Sequence, residues 1–380
     1  SWDIEAAQAT VVVTQTQAID NTRPAFNTPL ELLVRVAGVD TTIAVQLTEA
    51  HHEFTWRFAQ EPDFICIDPR GALLKGLQLE APRAQLIAQA HAAPTAVARL
   101  DAIAALGEID HVDAEQALIE IVANEQEEVA VRQRAVPVLA ARQTPLALAA
   151  LQARLNDTTP LVRMAVVRGI GSFIGSPVAH ETLLGKVDVR DVRVAGALAY
   201  ALGRMQGSAA LHDRSSQRLR QMISADARLH VRRAALQSID GEHRPVLYDA
   251  VRKATRRQGD RLRPLAIRRL GTFGRLAARR DDVRQQLLPW LNGADRTLQE
   301  AAVVALGLSW DVRALADLRR IAGSARGSAT RSAAEQAIQT IQDAPRPAAQ
   351  EDVVDLLRSL EQRYGELEER LETLEMGDPE

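Results

Sequence analysis

Hydrophobic and polar positions change their rhythm once along this chain, near residue 80. Before it they alternate with a period of two, and after it they recur every three to four residues. In the first stretch, VVVTQTQ at 11–17, LELLVRV at 30–36, TTIAVQL at 41–47, FTWRF at 54–58 and FICID at 64–68 are rich in β-branched and aromatic residues. Asn21, Pro24, Asn27 and the Gly38-Val39-Asp40 step break them up. Such runs predict short antiparallel strands. Within LELLVRV, Leu32, Val34 and Val36 share one side, and Glu31, Leu33 and Arg35 the other. A one-residue slip would turn every apolar side chain to the wrong face. A single sheet with a bare face is marginal, so a second sheet or a neighbouring domain is expected as cover.

After residue 80 one phrase returns eight times: VARLDAIAALG (97–107), VRQRAVPVLA (131–140), VRMAVVRGIG (162–171), VRVAGALAYALG (192–203), VRRAALQSID (231–240), LRPLAIRRLG (262–271), LQEAAVVALG (298–307) and TRSAAEQAIQ (330–339). Taking Ala98, Val131, Val162, Val192, Val231, Leu262, Leu298 and Thr330 as equivalent gives steps of 33, 31, 30, 39, 31, 36 and 32 residues. That period predicts a solenoid of helix pairs. In VRMAVVRGIG, Val162, Ala165, Val166 and Ile170 form the apolar face, and LALAALQARL at 146–155 supplies the companion helix. No pair can bury its stripe alone, so successive pairs must stack. Asp157 and Asp226 precede two of the phrases and are expected to cap helices or to pair with arginines of adjoining repeats. The periodic Arg132, Arg163, Arg193, Arg232 and Arg263 are therefore read as scaffold.

The last segment has a different apolar period. Val353, Leu357, Leu360, Tyr364, Leu367, Leu371 and Leu374 alternate by four and three, with Gly365 in their midst. This is a coiled-coil seam, which predicts either a homodimer through residues 351–376 or a helix folded back as a cap. The domains expected are thus a β-sandwich over 1–79, an α-solenoid over 80–342, a proline-containing linker over 343–350 and an amphipathic helix over 351–376.

Composition fits this division. Of 380 residues 46% are apolar but only 3% aromatic, which favours close packing of Ala and Leu over an aromatic-lined pocket. The net charge of −3 argues against a nucleic-acid wrapper, yet the charge is segregated. Residues 226–285 hold sixteen bases and seven acids, and residues 348–380 eleven acids and three bases. Within the basic segment, Arg256, Arg257, Arg261 and Arg268 are the candidate contacts for a peptide or partner. Few aromatics accompany them, which weakens single-strand nucleic-acid binding. Arg and Asp interrupt every Ala-rich stretch, so no membrane span is expected. The single cysteine, Cys66, allows no intramolecular disulfide, and a reducing, cytoplasmic home is expected.

Candidate chemistry is sparse. The sole suggestive histidine cluster is His51-His52-Glu53, and neighbours on a strand point to opposite faces, so it cannot imitate a helical zinc motif. GIGSFIGS at 169–176 lacks the lysine of a phosphate loop and follows a helix. No GxSxG elbow is present. The sequence therefore predicts no catalytic, metal or cofactor-binding residue within this chain.

The order of modules resembles the non-catalytic half of the M1 family of zinc aminopeptidases, in which a small β-sandwich precedes a large helical domain, often of HEAT-like pairs. The likeness rests on WDIEAAQATVVVTQTQ (2–17), on Phe26, Pro29 and Leu30, and on DFICIDPRGALLKGL with Asp68-Pro69 and Leu73-Leu74. The family's HExxH and GxMEN motifs have no counterpart here. The resemblance implies a fold of β-sandwich and HEAT-like α-solenoid, to which the apolar period of the last segment adds a coiled-coil helix. It further implies that zinc and peptide hydrolysis belong to a catalytic domain of the same parent protein, absent from this chain. The helical part would then restrict peptide access to the shared cleft. The acidic coiled-coil tail departs from the family's pattern. The alternative reading is a HEAT-repeat interaction scaffold with no enzymatic parent.

Overall fold

The computed structural model describes residues 1–344 apart from 21, 227 and 325–327. The seam predicted over 351–376 and residues 345–350 of the linker lie outside the described residues.

Six strands form two antiparallel sheets. β1 (Trp2–Asp3), β2 (Gln8–Thr14) and β5 (His51–Arg57) make one, in the order β1-β2-β5. β4 (Val39–Leu47), β3 (Thr28–Val36) and β6 (Phe64–Ile67) make the other, in the order β4-β3-β6. Every predicted run contributes a strand, and β1 is added. Asp3 builds the turn that returns it onto β2, its carboxylate accepting from the N–H groups of Glu5 and Ala6 at 2.9 and 3.0 Å. The β3–β4 turn falls one step earlier than its residues suggested. Ala37 and Gly38 both take positive φ, 50° and 76°, the pairing a two-residue hairpin turn requires.

The second sheet is covered on both faces, which answers the question its alternation raised. Leu30, Leu32 and Leu47 pack against Val13, Phe54 and Trp56 of the other sheet. On the opposite face Leu33, Phe64 and Cys66 share a core with Ala93 and Ala98, which belong to the first helix pair. Leu33 shares its strand face with Glu31 and Arg35 and is nevertheless buried. Arg35 beside it stacks over Phe64 at 5.0 Å and donates to the Ala92 carbonyl at 2.7 Å, so even the polar side grips the helices.

Sixteen α-helices follow among the described residues: α1 (Arg83–Ala92), α2 (Ala96–Gly107), α3 (Val112–Ala123), α4 (Val129–Ala141), α5 (Pro145–Ala153), α6 (Pro160–Ile170), α7 (Pro177–Gly185), α8 (Val192–Arg204), α9 (Ala209–Ser224), α10 (Leu229–Gln237), α11 (Tyr248–Thr255), α12 (Arg263–Thr272), α13 (Ala277–Leu291), α14 (Arg296–Leu308), α15 (Leu315–Ser324) and α16 (Ser328–Gln342). Their starts are written locally: Thr95, Thr144, Ser176 and Ser208 each accept an N–H of the following turn. Pro145, Pro160 and Pro177 occupy first-turn positions, where a missing N–H costs nothing. Asp157 and Asp226 are not the caps themselves. They stand two residues before Thr159 and Arg228 and accept those residues' N–H groups, bracing the loop instead.

All eight repeat phrases land on even-numbered helices, one per pair. Counted from Val162, α6 buries positions 0, 4, 5 and 8 as Val162, Val166, Val167 and Ile170. In α4 the same positions are Val131, Ala135, Val136 and Leu139. For α8 the buried set is Val194, Leu198, Ala199 and Leu202, so the equivalent of Val162 is Val194 and not Val192. Position 9 is glycine in five phrases because the next even helix passes close there. A Cβ on Gly171 would stand 2.6 Å from the Cβ of Ala201, and one on Gly307 2.9 Å from that of Ala337. At Gly271 it would collide with the Ala305 backbone.

The chain divides into two compact units, residues 1–266 and 267 onward. In the first, α2, α4, α6, α8 and α10 pack in sequence, each on the next; in the second, α14 packs on α16. No helix among the described residues is long and apolar enough to cross a membrane.

Candidate functional site

The periodic arginines Arg132, Arg163, Arg193, Arg232 and Arg263 are held by partners inside the scaffold. Arg132 is buried, donates to the Val122 carbonyl at 3.1 Å and pairs with buried Asp157, tying one repeat to the loop before the next. Arg232 pairs with Asp260 in the same relation. Arg163 donates to the Asp157 carbonyl at 2.7 Å, and Arg263 to that of Thr255 at 2.8 Å. Arg193 pairs with Asp191, the cap of its own helix, at 2.8 Å.

Of the four arginines nominated as contacts, Arg256 is exposed at the carboxyl end of α11. Arg257 donates to the Ser224 carbonyl at 2.8 Å, a link between repeats. Arg261 is exposed in the turn before α12, and Arg268 is exposed on α12. The histidine pair also has structural partners. His52 Nε2 accepts the N–H groups of Thr48 and Glu49 at 2.9 and 3.0 Å and its ring stacks on Phe54, while His51 meets the Thr14 hydroxyl at 3.2 Å. Burial pushes the Cys66 thiol up to about 12, so it is not a nucleophile at neutral pH. Among the described residues no three of His, Cys, Asp or Glu are grouped to hold a metal ion.

Two features escaped the sequence. The first is a buried polar nucleus around Arg244, whose guanidinium has no carboxylate partner. It donates to the carbonyls of Leu202 (2.6 Å), Met205 (3.1 Å) and Gly203 (3.3 Å) and to the Ser216 hydroxyl (3.0 Å). A cation thus closes the carboxyl end of α8, where the helix dipole is negative. Burial lowers its pKa to about 10, which leaves it charged at neutral pH. Nearby His180 is buried, bonds Ser215 through Nε2, and directs Nδ1 toward Gly207 without a hydrogen-bond partner. Burial, assisted by the Arg244 charge, holds this imidazole below its ordinary value and therefore neutral.

The second feature is a cleft of about 520 Å³ across α6, α8 and α10. Small residues make its floor, among them Gly171, Gly196 and Ala201, and Arg168, Arg193, Tyr200, Arg204 and His230 stand around it. Arg204 lies over the Tyr200 ring at 5.7 Å. No carboxylate lines the cleft. Arg168 and Tyr200 hold the same repeat position, six residues after Val162 and Val194, which points away from the core. Counting α8 from Val192 hides that equivalence and puts Tyr200 on the buried stripe.

Residues 83–166 match the family model for HEAT repeats. The helical region is accordingly a HEAT-like scaffold, and such repeats fit a protein that works through protein partners. No curated protein matches the sequence. Among solved structures, the Escherichia coli protein YibA is 16% identical, with a TM-score of 0.47, and the match covers 70% of this chain and 93% of YibA. A homology model of the full-length AP-3 complex matches at 11% identity and a TM-score of 0.48, over 74% of this chain and 54% of that one. Aminopeptidase A of Legionella pneumophila, solved with aspartic acid, matches at 12% identity and a TM-score of 0.46, over 89% of this chain. The chain spans about half of that aminopeptidase, 48% of its length. None of these likenesses assigns an activity.

Proposed function

We propose that this chain is the non-catalytic sheet-and-HEAT region of an M1-like zinc aminopeptidase, restricting peptide entry to a catalytic domain carried outside these 380 residues. The observation that carries the reading is the junction between sheet and helices, built from the residues that resemble the family. Asp68, buried and at a φ of 50°, accepts from the N–H groups of Ala72 and Leu73 and from Lys75 at 2.5–3.0 Å. Burial opposes its charge, but Lys75 and those N–H groups outweigh it and hold the carboxyl below the usual range. Thr95, the cap of α2, donates its hydroxyl to the Pro69 carbonyl. The resembling stretch thus fastens a sandwich onto a helical array, the join such a region needs if it is to hold its shape beside a cleft. Half of the exposed large apolar side chains among the described residues belong to the first 79 positions, Phe26 and Leu74 among them, which supports a sandwich that meets further protein.

No residue of this chain is assigned to zinc. Its part would be steric, since narrowing the entry excludes folded chains and water from a reaction centre. The test is the polypeptide preceding Ser1 in the native protein. HExxH followed by a downstream glutamate is the expected finding, and its absence overturns the reading. The second reading, a HEAT scaffold with no enzymatic parent, is favoured by the cationic cleft on α6, α8 and α10, which lies on the helices and not on the sheet module.

A further inference from the structure

We propose that the cleft across α6, α8 and α10 is a docking site for an acidic peptide segment of a partner protein. In this arrangement carboxylates pair with Arg168 and Arg204 while an aliphatic side chain rests on the floor. The inference rests on the HEAT scaffold and is independent of whether the parent is a peptidase.

Charge is the first argument. Like Arg256, Arg261 and Arg268 but unlike the periodic arginines, Arg168 and Arg204 are exposed and have no carboxylate within 4.0 Å. They stand beside the same cleft, joined by His230, and no acid lines it to neutralise them. Arginines at the rim of a concave surface select carboxylates, which their planar fork can bind through two hydrogen bonds. Shape is the second argument. Gly196 has no side chain at the repeat position that carries Met164 and Gln133 in the two preceding repeats, and the volume suits a few residues of an extended or helical segment. Tyr200, 45% exposed, gives the rim a rigid flat wall of the kind that anchors peptides, and Arg204 is already stacked on it. Locality is the third. The repeat position that carries Arg168 and Tyr200 carries Ala104 and Pro137 in the two preceding repeats, so the charged rim is not a feature of every repeat. Single-stranded nucleic acid is the lesser fit, since one tyrosine offers no succession of stacking platforms and the chain as a whole is anionic.

The experiment titrates the intact 380-residue chain into a fluorescein-labelled peptide of four Glu-Glu-Leu repeats and reads anisotropy, with labelled dT20 and a Lys-Lys-Leu peptide in parallel. Saturable binding of the acidic peptide is expected, weakening as salt rises, with little for the lysine peptide. The Arg168→Glu/Arg204→Glu variant should bind it at least about tenfold more weakly, and Tyr200→Ala a few-fold more weakly. Arg57→Glu, an exposed change on the sheet module, should leave it unchanged. All these side chains are exposed, so circular dichroism should report an intact fold. A photoreactive group in the peptide should label residues 196–204. Acidic-peptide binding that survives the double reversal, labelling elsewhere, or a preference for dT20 would overturn the proposal.

Discussion

The sheet module and the helical array close their cores in different ways. The sheets meet each other across an apolar layer and then lean, through Leu33, Phe64 and Cys66, on one helix pair. The array repeats a layer of small apolar residues, fastened from pair to pair by buried polar links such as Arg132–Asp157 and by glycines where even helices touch. The difference teaches where damage stays local. A lost link in the array uncouples neighbouring repeats, whereas a lost contact at the sheet–helix junction is felt by both modules at once.

The largest loss of stability is expected at Asp157. Asp157→Ala leaves the Arg132 guanidinium buried without its counter-ion, at a cost of about 4 kcal/mol. Hydrogen exchange should accelerate around α4 and α6 while β2–β5 stay protected. Next is Phe64→Ala, which opens a cavity on the face shared with α1 and α2 and costs about 3 kcal/mol. Here exchange should rise in β3, β6, α1 and α2 together, and a change confined to the strands would contradict the shared core. Gly271→Ala forces a methyl into the Ala305 backbone and should cost about 2 kcal/mol. Gly185→Ala, with nothing within 4 Å of the added carbon, should be close to neutral in thermal melts.

The smallest effect is a pH dependence inside the array. His180 and His212 are both held below the ordinary imidazole value, chiefly by burial and then by Arg244. A depressed folded-state value means that the unfolded chain takes up the proton first. Stability is therefore fully present above about pH 6.5 and declines as pH falls through the ordinary value toward the depressed ones. The melting temperature should drop between pH 7.5 and 5, and His180→Asn should flatten that drop.

Much of this architecture was legible because it repeats. The period-two runs gave the strands, and the eight phrases gave the even helices, since a buried stripe must recur wherever a layer recurs. The periodic arginines read correctly as scaffold for the same reason. What escaped was singular. β1 is too short to alternate, and the turn at Ala37-Gly38 depends on positive φ at an alanine, which no propensity announces. Arg244 sits in a loop with no period at all, and most of its acceptors are backbone carbonyls about forty positions earlier. The cleft was concealed by a two-residue slip. VRVAGALAYALG offers two valines as its start, and the burial of Val194, Leu198, Ala199 and Leu202, with the close approach of Gly203 to Ser238, shows that Val194 is the one in register. The glutamate- and leucine-rich segment after residue 350 lies outside the described residues, so its seam stands as an expectation.

The proposal that these modules serve a reaction centre carried elsewhere is tested most directly by zinc content and aminopeptidase turnover, measured on the native uncut protein and on the isolated 380-residue chain. Stoichiometric zinc and chelator-sensitive cleavage in the former, with neither in the latter, is the expected outcome. A native protein without zinc or turnover, or an isolated chain that hydrolyses aminoacyl substrates by itself, would contradict it.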